Sequence, residues 1–204
     1  LIQASRAQAD MSIREKQLDE ANDALQRFVG QHPDHPLTSS ANAQLGNLLV
    51  ERARIKVEQS KKPRVNKAAL LAEAKGIYDD AYKVFARSQA GLKEKLAPMQ
   101  SGIDPKDKAA IELPDQLRTD YFAAQLMEAA IREEAAETAA EGSQEYMTML
   151  TEAAGIYGEI YDKYRLKLAG LYARMYQGRC NQKIGKYKDA LSYYEELLDQ
   201  DDSA

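Results

Sequence analysis

The residues of this chain best suited to chemistry are few and poorly assembled. His32 and His35 flank Pro33-Asp34, and two imidazoles at that spacing are the start of a zinc site. A stable site needs more ligands, yet the sequence holds no other histidine and only one cysteine, Cys180. The spacing predicts a solvated turn and no metal. The same shortage disfavours Cys-His and Ser-His-Asp catalysis, because both imidazoles fall in one turn with no evident nucleophile or orienting partner. Glu133, Glu134, Glu137 and Glu141 form a carboxylate run whose helical spacing reads as a solvated face. Lys61, Lys62, Arg64 and Lys67 surround Pro63 and read as a solvated loop between helices. Gly46, Gly76, Gly155 and Gly178 are isolated residues inside helical patterns, which is not how a phosphate-binding loop is built. Neither an enzyme nor a cofactor is expected.

Composition narrows the remaining classes. The 204 residues carry a net charge of −4 with the two signs interspersed, which argues against a nucleic-acid binder with its concentrated basic face. A lone cysteine excludes an intramolecular disulfide. No apolar run approaches the roughly 18 residues of a membrane span, and no signal peptide is visible. The chain opens on Leu1 and not Met, so it is read as a section of a longer protein. Abundant Ala, Leu, Glu, Lys and Gln, with no alternating Val/Ile/Thr segment, predict an all-α fold.

The elements that must position these residues are clearest in the last third. From Leu171 to Ile184, Leu171, Met175, Gly178 and Cys180 mark the expected buried side of a helix. Gly185 lets the chain reverse, and Tyr187 restarts an apolar stripe through Ala190, Leu191, Tyr194, Leu197 and Leu198. Small residues at Gly178 and Ala190 leave room for the opposing backbone. A small residue in the first helix, a Gly-x-Tyr turn, then Ala-x-x-x-Tyr in the second resembles the tetratricopeptide repeat, a two-helix unit of roughly 34 residues. Gly178, Gly185, Tyr187, Ala190 and Tyr194 carry the match, with Asn181 standing where the family usually places an aromatic.

Earlier segments repeat the plan. LDEANDALQRFVGQHPDHP places Leu18, Ala21, Leu25, Phe28 and Val29 on one face, with a turn expected before it near Glu15 and Lys16. Thr38, Ser39 or Ser40 is suited to cap the next helix, where Leu45-Gly46 matches the repeat signature. EAKGIYDDAYKVF from Glu73 recurs as EAAGIYGEIYDKY from Glu152, 79 positions on, and Ala43-Gln44-Leu45 recurs as Ala124-Gln125-Leu126. Ala74, Tyr78, Ala81 and Phe85 are the expected buried residues of the first copy. Pro98, Gly102, Pro105 and Pro114 predict a loop over 98–114. The chain therefore reads as one domain of four hairpins, at about 2–34, 37–97, 115–165 and 168–202, the middle two lengthened. Met127, in place of the small residue at Gly46 and Gly178, is expected to hold the third pair farther apart. The resemblance implies a right-handed α-α superhelix.

What the resemblance implies for function is a non-enzymatic scaffold that holds a peptide or protein in a groove lined by first helices. By register the lining residues are Asn47 and Glu51 in the second hairpin, Tyr121, Glu128 and Arg132 in the third, and Tyr172, Met175, Arg179, Gln182 and Lys183 in the fourth. The other class kept open is a structural spacer or targeting section of a larger protein whose activity lies elsewhere. The apolar stripe of the last helix has no helix after it in this sequence, so further repeats or a second copy are expected to cover it. Pro33-Asp34-His35-Pro36 followed by Leu45-Gly46 is also similar to repeat modules of bacterial cell-envelope assembly proteins, which implies a periplasmic or envelope location.

Overall fold

The computed structural model describes residues 11–33, 35, 37–100 and 108–199, without the side chains of 11–12, 100 and 108–114. These residues form seven α-helices and no strand. They are α1 (Met11–Gln31), α2 (Thr38–Ser60), α3 (Lys67–Leu96), α4 (Lys108–Ala135), α5 (Gln144–Tyr164), α6 (Leu168–Lys183) and α7 (Tyr187–Leu198). Short 3-10 turns, Ala97–Gln100 and Ala136–Thr138, follow α3 and α4. The chain divides into two compact units, Leu1–Ala124 and Gln125–Ala204, the division falling within α4.

In the first unit α2 packs against both α1 and α3. Its sequence explains this, since Leu45, Leu48, Val50, Ala53, Ile55 and Val57 spread apolar side chains around most of the helix, as a helix covered on two sides requires. Leu18, Ala21 and Leu25 of α1 meet Leu48 and Ile55. From α3 come the expected Ala74, Tyr78, Ala81 and Phe85, all buried. Gly46 lies beneath Phe85, where a Cβ would overlap the ring. Asn66 starts α3 by accepting the Ala69 N–H at 3.1 Å, one of the orphan donors of the first turn.

In the second unit α5 packs on α6 and α6 on α7. Ser143 caps α5 through the Tyr146 N–H, and Gly142 before it takes a left-handed φ of 76°. Ala153, Tyr157 and Ile160 are buried as their 79-residue counterparts Ala74, Tyr78 and Ala81 are. The repeated motif thus presents the same face in both copies. The first helices do not match so closely: Leu45 is buried and Ala43 half-buried, whereas Leu126 is half-buried and Ala124 buried. Gly185, with φ 80°, turns α6 into α7. Gly178 makes room for an aromatic ring where the sequence suggested a backbone, since a Cβ there would lie 2.6 Å from Tyr194 Cε1.

Several expectations are corrected. α1 runs unbroken through Glu15 and Lys16, because no glycine or proline interrupts it before Gly30, and Arg14 and Glu15 pair with Glu51 and Lys56 of α2. Residues 2–10 of that expected hairpin lie outside the described residues. α2 has no side-chain cap; Thr38 instead donates its hydroxyl to the His32 carbonyl at 2.6 Å. The loop over 98–114 is shorter, since α4 begins at Lys108 and contains Pro114, while Gly102 and Pro105 lie outside the described residues. In α6 the buried residues are Gly170, Ala173, Gly178, Cys180 and Asn181, and Met175 faces outward. Residues 200–202, the expected end of the fourth hairpin, lie outside the described residues.

Candidate functional site

The groove residues expected from register separate by unit and by burial. In the first unit Asn47 is exposed on α2 and Tyr121 half-buried on α4. Glu51 is buried, and its carboxylate pairs with Arg14 of α1 and with Arg54 at 3.6 Å. That carboxylate joins two helices and lines no groove. Next to it Lys56 donates to Glu15 at 2.9 Å and Glu73 at 3.1 Å, tying α1, α2 and α3 together. Burial pulls the Lys56 ammonium down, but the two carboxylates outweigh it and the pKa is raised.

In the second unit Glu128 is likewise buried, and its Oε1 has no hydrogen-bond partner. Burial pushes its carboxyl up to about 7. Arg132 reaches Glu152 of α5 at 3.4 Å. Gln182 accepts the Tyr194 hydroxyl at 3.3 Å.

Arg179 and Lys183 have a definite partner that the sequence reading missed. Glu133, assigned there to a solvated face, is 3% exposed. Arg179 donates to both its oxygens at 2.7 Å, a bidentate pair, and Lys183 donates to Oε1 at 2.8 Å. The Tyr157 hydroxyl approaches Oε2 at 3.5 Å. Burial raises the Glu133 carboxyl, yet the two cations overcome that and hold it below the usual range. Arg179 also lies over the Tyr176 ring at 4.5 Å, and Tyr176 packs on Tyr157 with 5.4 Å between centroids. Cys180 beside this cluster is buried, and its thiol is pushed up to about 12, first by burial and then by Glu133. A thiol so poised is a packing residue and a poor nucleophile.

A second cluster fixes α7. Glu196 accepts the Tyr161 hydroxyl at 2.6 Å, Arg165 at 2.9 Å and Arg174 Nε at 2.8 Å. The Tyr161 hydroxyl, against the opposing effect of burial and with the two arginines, brings the Glu196 carboxyl down to about 2. Arg174 lies 4.5 Å from the centre of the Tyr161 ring and 3.8 Å from that of Tyr193.

What the structure does bring together is one outward stripe on α6. Leu168, Tyr172 and Met175 are 68%, 49% and 37% exposed, and Arg179 continues the same line. Positions i, i+4, i+7 and i+11 share one side of a helix. Leu168 was absent from the register reading, although its spacing from Tyr172 was the available signal. The side opposite is buried through small residues, Gly170, Ala173, Cys180 and Asn181. At Gly170 a Cβ would overlap the Tyr164 carbonyl, so the close approach of α6 to the end of α5 requires glycine.

Elsewhere the chemistry is sparse. His32 and His35 pack about Phe28, with ring centroids 5.3 and 5.4 Å from it, and His35 Nδ1 accepts the Leu37 N–H. Among the described residues no three His, Cys, Asp or Glu side chains are grouped to hold a metal ion. No described helix is long and apolar enough to cross a membrane. No family model matches the chain, and neither does any curated protein or solved structure.

Proposed function

We propose that this chain is a non-enzymatic scaffold for protein–protein interaction, built from tetratricopeptide-type hairpins that continue as a right-handed superhelix. A peptide or protein segment docks on the outward side of α6. The observation that carries this reading is the inversion of apolar size on that helix: the small residues face in, while Leu168, Tyr172 and Met175 face out. Large apolar side chains held outward on a fixed helix are typical anchors for a partner. The neighbouring arginine and lysine are held by Glu133, so the surface beside the anchors is fixed before a partner arrives. Of the register-derived residues, Tyr172, Met175, Arg179, Gln182 and Lys183 remain in the proposed surface, with Leu168 added. Glu51 and Glu128 are left out because they are buried.

The test is selection from a displayed peptide library on the 204-residue chain, repeated with a Tyr172→Ala, Met175→Ser variant. Both side chains are exposed, so circular dichroism of the variant is expected to be unchanged. Retained peptides are expected to bind the variant at least about tenfold more weakly, the loss of one or two interface anchors. Retention of nothing, or equal retention by the variant, leaves the spacer reading in its place.

A further inference from the structure

A second surface, on α7, is not used by the function proposed above. α7 turns Ala190, Tyr193, Tyr194, Glu196 and Leu197 inward to differing degrees, but Tyr187, Leu191 and Leu198 are 68%, 57% and 84% exposed. At 3.6 residues per turn these three fall within about 40° of one another, a straight apolar stripe. Along its far flank, inside a further sector of about 40°, lie Lys188, Glu195 and Asp199. All three are exposed, and none pairs with an opposite charge among the described residues.

The order of charge along that flank is the informative feature. The cation sits at the N-terminal end of α7 and the carboxylates at its C-terminal end. A two-fold axis perpendicular to a helix maps each flank onto itself with its direction reversed. It therefore brings Lys188 of one copy to Glu195 and Asp199 of the other, twice, with Tyr187 facing Leu198 and Leu191 close to the axis. A parallel arrangement brings opposite flanks together and leaves these charges unmatched.

We propose that two copies of this chain pair through α7 in antiparallel, two-fold fashion. The stripe and its flank carry both halves of their own partner, which is the requirement of an isologous interface. A helix of 12 residues is about 18 Å long, so the buried area falls below the roughly 1,200 Å² of standard interfaces. The association is correspondingly weak and depends on concentration.

Sedimentation of the 204-residue chain from about 1 to about 300 μM tests this, a range that spans the weak association expected of a small interface. The expected result is a monomer–dimer equilibrium that Leu191→Glu weakens at least about tenfold. Two charge variants sharpen it. Lys188→Glu makes the flank wholly acidic, and Glu195→Lys, Asp199→Lys makes it wholly basic. Each alone is expected to stay monomeric, and a mixture of the two is expected to pair. Every altered side chain faces solvent, so helicity by circular dichroism stays at the parent value. The Tyr172→Ala, Met175→Ser variant is expected to dimerise like the parent, which separates this proposal from the function assigned to α6. A parent monomeric over the whole range, a Leu191→Glu variant that dimerises equally, or charge variants that fail to pair when mixed would each overturn it, and capture of a different protein by a monomeric parent counts with the first.

Discussion

In the hairpin of α2 and α3, Gly46 faces the ring of Phe85; in the hairpin of α6 and α7, Gly178 faces the ring of Tyr194. Both pairs close on an aromatic side chain held over a first-helix glycine. They differ in length and in cover. Phe85 follows Gly46 by 39 positions and Tyr194 follows Gly178 by 16, so the first hairpin is drawn out beyond the glycine on both arms. Its α2 is covered on two sides, and Phe85 is buried; α6 and α7 keep apolar stripes in water, and Tyr194 is half-buried. Their electrostatics are opposite in arrangement. Lys56 sits between two carboxylates from α1 and α3, whereas Glu133 sits between two cations of α6. The same packing unit is thus used once to build an interior and once to present a surface.

The largest expected effect sets the two glycines against each other. Gly46→Leu drives side-chain atoms into a ring that is enclosed on all sides, and is expected to cost about 3 kcal/mol in urea denaturation. Gly178→Leu meets a ring that can swing toward solvent, at about half that cost. Equal losses would mean that the difference in cover between the two hairpins has no energetic meaning. Next come the ion clusters. Glu133→Ala strips a buried partner from Arg179, Lys183 and Tyr157 and is expected to cost about 2 kcal/mol, less than for a fully buried pair because both cations can reach water. Lys56→Ala, at a more exposed site, is expected to cost about 1 kcal/mol or less. The pH dependence carries the same sign for Glu133 and Glu196. Both carboxyls are depressed in the folded state, so their stabilisation is complete above the unfolded value near 4.5 and is lost as pH falls below it, for Glu196 toward about 2.

How much of this was legible in the sequence depends on how far apart the interacting residues lie. The reversal between α6 and α7 was readable because Gly185 acts on backbone within a few residues of itself, whereas the caps at Asn66 and Ser143 came only with the structure. Tyr78 and Tyr157 were readable as core because the motif repeats. Glu133 was not, since its partners Arg179 and Lys183 lie 46 and 50 positions later, and a glutamate within a run of glutamates gives no local sign of them. Met175 was misread for the opposite reason: apolar character suggested burial, whereas the residues α6 buries are the small Gly170, Ala173, Gly178, Cys180 and Asn181, with Gly170 set against the Tyr164 carbonyl. Glu51 and Glu128 were placed in a groove by register alone, and register does not say which side of a lengthened helix its neighbours cover.

Those two glutamates give the smallest effect and the finest test of the comparison between units. Both are buried on first helices, but Glu51 has Arg14 and Arg54, while Glu128 leaves one oxygen without a donor. A carboxyl raised to about 7 by burial binds its proton more tightly folded than unfolded. As pH climbs from 4.5 to 7 the unfolded chain releases that proton first, so folding loses stability across this window and no more above it. Glu128→Gln removes the ionisation at nearly constant shape. The expected outcome is a gain of about 1 kcal/mol at pH 8, no gain at pH 4, and a flatter stability curve between them. Glu51→Gln, which leaves Arg14 without its counter-charge, is expected to destabilise at pH 8 by a similar amount. If Glu128→Gln were as harmful at pH 8 as Glu51→Gln, Glu128 would have to be held by a donor of its own, and the contrast between a satisfied and an unsatisfied buried acid would fail.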